Sequence, residues 1–140
     1  MQAVQVQLYI HRATDFLEGM QLTRTDESYW NSSALLAIHS AVSYSDALRL
    51  GLGDQKLSAD DHQKAADTLH TLLASRNLED QSAFKHLRFL LKRKSLVTYG
   101  NQRLDSTDYE ALFTNAERFA LWARKTGRKL NLAGWHDDEQ

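Results

Sequence analysis

The residues best equipped for chemistry lie between positions 81 and 104. This stretch holds Lys85, Arg88, Lys92, Arg93, Lys94 and Arg103 and no carboxylate. Lys85, Arg88 and Lys92 recur at helical spacing, which places them on one face of a helix. Arg93 and His86 fall on the neighbouring stripe. Guanidinium and ammonium groups arranged in this way suit the phosphate oxygens of RNA or a nucleotide. The same pattern also describes a solvated face whose cations pair with acidic residues elsewhere in the chain or on a second subunit. Positions 118 to 129 add Arg118, Arg124, Lys125, Arg128 and Lys129, again without a carboxylate. Aromatic residues within the strip are few. Phe84 and Phe89 read as core, which leaves Tyr99.

Other chemistries find little support. Di-metal helical bundles need Glu-x-x-His motifs on facing helices, and the chain offers only Asp67-x-x-His70. His62 and His70 stand about two helical turns apart, roughly 12 Å, too far to share one ion. His39, beside the apolar stripe of the second helix, reads as a hydrogen-bonded, half-buried side chain. No metal and no cofactor are expected. The chain has no Gly-x-Ser-x-Gly and no phosphate-cradling Gly-rich loop, so neither nucleophilic catalysis nor a P-loop is indicated. Without Cys there is no disulfide scaffold, zinc ribbon or thiol chemistry. Trp30, Trp122 and Trp135 read as packing anchors or parts of an oligomer contact.

The elements that must position the strip are helices. The 140 residues include no Pro, where average usage gives about seven, and only six Gly. Apolar periodicity and end signals predict five helical segments. The first runs from about Val4 to Met20, and the second from Thr25 or Asp26 to a stop at Gly51-Leu52-Gly53. The third starts at Ser58, with Asp61 completing an approximate capping box. The fourth spans Asp80 to Tyr99, and the fifth opens at Asp105 or Ser106 and closes at Gly127. Short loops favour antiparallel neighbours. The expected fold is therefore all-α: an antiparallel up-and-down helical bundle of four long helices plus one additional helix. Residues 1–136 form a single domain, and 137–140 form a polar tail.

No apolar run approaches the ~20 residues of a transmembrane helix, and the first ten residues lack signal-peptide features, so a cytoplasmic protein away from membranes is expected. The net charge of −1 hides an asymmetry. Residues 1–80 carry six basic and eleven acidic side chains, whereas residues 81–136 carry eleven basic and four acidic ones. The positive field is local.

The order of signals in helices two to five resembles a prokaryotic HEPN domain. The resemblance rests on Asn31-Ser32-Ser33-Ala34-Leu35-Leu36-Ala37-Ile38-His39-Ser40-Ala41-Val42 and its continuation Ser45-Asp46-Ala47-Leu48. It continues through the stretch from Leu90 to Tyr99 and the last helix with Ala116-Glu117-Arg118-Phe119-Ala120. It implies a bundle that forms a homodimer, with RNA or nucleotide as ligand, or a nucleotidyltransferase-type partner protein in a toxin–antitoxin pairing. Many members are ribonucleases that carry an Arg-x4–6-His motif in the dimer cleft. The nearest match here is Arg93 to Tyr99, and no Arg in the chain has a His five to seven residues downstream. An unperturbed Tyr, with pKa about 10, is a poor general acid or base near neutrality. A non-catalytic binding role is expected, with Arg93, Lys92, Arg88 and Tyr99 as anion contacts and Lys94 and Lys85 as peripheral charges. Asn31 and His39 join them because the second helix often lines the cleft in the resembled family. Two alternatives stand beside this reading: a metal-independent ribonuclease that recruits His39 or His86, and a pure protein-interaction subunit of antitoxin or scaffold type.

Overall fold

The computed structural model describes residues 2–54, 61–78 and 80–135. Every regular element among them is helical: α1 (Gln2–Thr23), a 3-10 turn (Glu27–Tyr29), α2 (Trp30–Gly51), α3 (His62–Ala74), α4 (Gln81–Lys92), α5 (Lys94–Tyr99) and α6 (Ser106–Lys129). No described helix is long and apolar enough to cross a membrane.

The second helix is the axis of the core. It packs on α1, α3, α4, α5 and α6, and fourteen of its 22 residues are buried. A helix enclosed on most of its circumference needs small side chains where neighbours approach closely. Ser33, Ala34, Ala37, Ser40, Ala41 and Ala47 meet that need, while Ile38, Tyr44 and Leu48 fill the wider gaps. Three of its hydroxyls are satisfied across the α1 contact. Ser40 Oγ donates to the Ala13 carbonyl at 2.8 Å, Thr23 and Ser33 hydroxyls meet at 2.6 Å, and Thr14 meets Tyr44 at 3.0 Å. From Thr23–Ser33 through Phe16–His39 to Thr14–Tyr44 the contacts run in opposite directions along the two helices, so α1 and α2 are antiparallel.

Aspartates start the helices. Asp61, Asp80 and Asp105 accept the backbone N–H of Lys64, Ala83 and Asp108 respectively, and so cap α3, α4 and α6. Asp26 caps the 3-10 turn rather than the second helix, whose first residue is Trp30. Asp61 is itself the cap of α3, not the third residue of a box. Ser58, the expected start, lies outside the described residues, as does the 137–140 tail.

Two boundaries differ from expectation for tertiary reasons. The predicted fourth helix divides at Arg93, whose φ of −96° and ψ of 0° separate α4 from α5. Beyond it Val97 is buried, and its carbonyl accepts a bond from Asn31 of α2. The last helix continues past Gly127 to Lys129. Gly127 is there for space: Trp135, fully buried, lays its indole against it and stacks on Tyr44 at 6.4 Å between ring centres.

Candidate functional site

The fourth helix buries Ala83, Phe84, Leu87, Leu90 and Leu91, so its charged residues are left on the outer side. Lys85 and Lys92 are exposed. Arg88, on the same face, reaches across to α3, where Nη2 donates to Asp67 Oδ1 at 2.6 Å. Arg93 folds back on its own helix. Its guanidinium lies 3.5 Å above the Phe89 ring centre, and Nη1 donates to the Phe89 carbonyl at 3.1 Å. Tyr99 projects from the end of α5 at 85 % exposure. Among the described residues, no carboxylate lies within 4.0 Å of Lys85, Lys92, Arg93 or Lys94.

What lies opposite α4 strengthens this cationic field. His86 Nδ1 and Asn115 Oδ1 meet at 2.6 Å, and Phe84 packs edge-on against Trp122. Asn115 and Trp122 therefore mark the α4-facing side of α6, and exposed Arg118 sits on the stripe between them. The two glutamates of α6 point elsewhere. Arg24, just beyond α1, holds Glu110 at 3.0 Å and Glu117 at 3.3 Å, with its guanidinium over the Phe113 ring. Negative charge is drawn to the α1 flank and positive charge is left on the α4 flank.

A second polar cluster lies between α2, α3 and the start of α5. His39 packs on Phe16 at 5.6 Å between ring centres. Burial, and then the nearby Lys94 ammonium, hold both His39 and His62 below the ordinary histidine value. The Lys94 charge therefore lies close enough to both histidines to act on them. His62, Ser45 and Asp46 line a void of about 10 Å3 with Val42, Ala65, Leu87 and Leu91, space for a single water. Ser45 Oγ is buried there and has no hydrogen-bond partner among the described residues. Burial outweighs Arg49 at 3.1 Å and pushes the Asp46 carboxyl up to about 6. No group of three His, Asp or Glu among the described residues could hold a metal ion.

Asn31 belongs to a third place, the end of the bundle beside α5. Its Nδ2 donates to the Val97 carbonyl at 2.9 Å and its Oδ1 accepts from Tyr109 OH at 3.1 Å. An open cavity of about 330 Å3 there is lined by Asn31, Leu96, Thr98, Asn101, Gln102 and Arg103, among others. Arg103 donates to the Glu27 carbonyl and lies over Tyr109.

The eight residues singled out from sequence are therefore distributed over three places. Lys85, Arg88, Lys92 and Arg93 share α4 or its end, with Tyr99 one short helix beyond. His39 belongs to the second cluster, whose histidines feel the Lys94 charge, and Asn31 braces α5. Sequence reasoning missed the roles of Asp67, His62, Arg103 and Tyr109. The first two act across helix pairs, for which spacing carries no signal. Arg103 was visible only as one more charge in the basic run. No protein-family model matches the chain, and comparisons with curated proteins and with solved structures find no match.

Proposed function

We propose that this chain is a HEPN-like protein, an antiparallel up-and-down bundle that binds a phosphate-bearing ligand, RNA or a nucleotide, without cleaving it. The observation that carries the reading is the separation of charge across α6. Arg24 gathers Glu110 and Glu117 on one flank, and the other flank presents Lys85, Lys92 and Arg118. Phosphate binding uses such unpaired, solvated cations, because counterion release favours them. Arg88 contributes less than its position on the strip suggests, since Asp67 already neutralises it. Tyr99 offers an open ring face to a base. A binding role rather than a catalytic one is supported by the imidazoles. His86 is bonded to Asn115 and His39 packs on Phe16, so neither is paired with Arg93 or Tyr99. The cytoplasm is the compartment that fits this ligand.

Fluorescence anisotropy with a short labelled single-stranded RNA tests the proposal. At low salt the parent chain binds, and Lys85→Ala/Lys92→Ala weakens binding about tenfold. Loss of two phosphate contacts also lowers the salt slope by about 1.4. Lys129→Ala, at the far end of α6, has a much smaller effect. Equal losses from both variants, or no binding by the parent, would overturn the assignment. Cleavage of the RNA in the presence of a chelator would select the ribonuclease reading instead.

A further inference from the structure

The cavity beside α5 is braced by polar groups that are already engaged and lined by others that are not. Asn31 bonds both the Val97 carbonyl and Tyr109 OH. Arg103 donates to the Glu27 carbonyl and lies over the buried Tyr109 ring. Gly100 N–H donates to the Leu96 carbonyl at 3.0 Å, and a Cβ at Gly100 would collide with that same oxygen. The segment between α5 and α6 is therefore tied down at both ends. A loop fixed in this way presents its side chains at a small ordering cost. Thr98, Asn101 and Gln102 line the cavity. All three are exposed, and none makes a side-chain hydrogen bond to another described residue.

The lining suits the edge of a base better than a phosphate. Arg103 is the one cation lining the cavity among the described residues, and Asp105 and Asp108 follow it closely in sequence. A carboxamide carries a donor and an acceptor side by side. The Hoogsteen edge of adenine presents the complementary pair, N6–H and N7. Guanine presents two acceptors there, which suit an Arg or Lys fork, and Arg103 is turned to Glu27 and Tyr109 instead. Pyrimidines offer a single donor or acceptor on that edge. An aromatic platform is also in place. Tyr99 stands in sequence between the lining residues Thr98 and Gly100, and bases stack on such exposed rings in single-stranded RNA. The volume, about 330 Å3, falls in the range of small-molecule sites. Lys92 ends α4, and α5 beyond it has six residues, roughly 9 Å of helix. A strand whose phosphates lie along α4 meets this cavity next.

The geometry points to a base-recognition subsite between α5 and α6, in which Asn101 and Gln102 select adenine and Tyr99 stacks on it. This rests on the RNA reading and adds a sequence preference, which phosphate contacts from α4 do not supply. Anisotropy at low salt compares an all-uridine RNA with RNAs of equal length in which adenine, guanine or cytosine replaces some uridines. The parent chain binds the adenine-bearing RNA about tenfold more tightly than the all-uridine one. Asn101→Ala/Gln102→Ala removes that advantage and leaves all-uridine binding and its salt slope unchanged. Both altered side chains are exposed, so this variant keeps its helical circular dichroism. Lys85→Ala/Lys92→Ala does the reverse: every RNA binds more weakly, and the ratio between them stays. Equal affinity of the parent for all four RNAs, or preference for another base, overturns the subsite and leaves phosphate binding standing. So does an adenine preference that survives Asn101→Ala/Gln102→Ala, or a loss in that variant that is the same for every RNA. A parent that binds no RNA overturns the subsite together with the reading on which it rests.

Discussion

Gly127 illustrates how one residue acquires its meaning from a distant one. Glycine within a helix costs about 1 kcal/mol relative to alanine, so propensity alone predicts that Gly127→Ala stabilises the chain. The structure predicts the opposite sign. A Cβ built there falls within 2.6 Å of Trp135 ring atoms, closer than real carbons approach. The indole is fully buried between Gly127 and Tyr44 and has no free direction in which to retreat. Overpacking of this kind costs roughly 1–3 kcal/mol. With a contact this close it outweighs the gain in propensity, and urea denaturation should show a net loss of up to about 2 kcal/mol in Gly127→Ala. Read without its partner, Gly127 is a helix stop, since nothing in the local sequence announces an indole eight residues later. Arg88 teaches the same lesson at the candidate site. Its place on the basic strip was legible from spacing, and its neutralisation by Asp67 was not, because that carboxylate belongs to another helix.

At the scale of elements, end signals were the most legible part of the chain. Asp80 and Asp105 precede apolar-periodic runs, and both accept the backbone N–H three residues on. Asp80→Ala and Asp105→Ala should each cost about 1 kcal/mol in chemical denaturation, while Asn at either position keeps the acceptor and costs a few tenths at most. A loss no larger for Ala than for Asn would show that the caps contribute nothing. The division at Arg93 was not legible. No Gly or Pro marks it, and the apolar and basic periodicity continues from Leu90 to Tyr99. The chain turns there because Val97 seats against α2 and Asn31 bonds its carbonyl. Lys94, the first residue after the turn, is near enough for its charge to act on His39 and His62.

At the scale of the whole molecule, the buried cluster sets how stability depends on pH. His39 and His62 have lowered pKa values in the fold, from burial first and Lys94 second. The unfolded chain therefore takes up protons near 6.5 while the fold does not, and stability declines as pH falls through that value. Asp46 works in the other sense. Its carboxyl, pushed up to about 6 from 3.8, keeps a proton that the unfolded chain releases, which favours the fold as pH falls below about 6. Denaturation midpoints should thus fall between about pH 7 and pH 6 and flatten below. His39→Gln/His62→Gln should remove the fall, and Asp46→Asn should remove the flattening. A midpoint constant across this range would show that the cluster does not titrate differently in the fold.

The sequence by itself determined the helical class, the helix starts at Asp80 and Asp105, and the segregation of basic side chains into residues 81–136. Those properties follow from local propensity and periodicity, which act within a few residues. Tertiary structure decided which cations remain available. Asp67 takes Arg88 and Phe89 covers Arg93, while Arg24 removes two glutamates from the α4 flank. Pairing of charges depends on which helices become neighbours, and that depends on how several apolar faces are buried together, which no single stretch of sequence specifies.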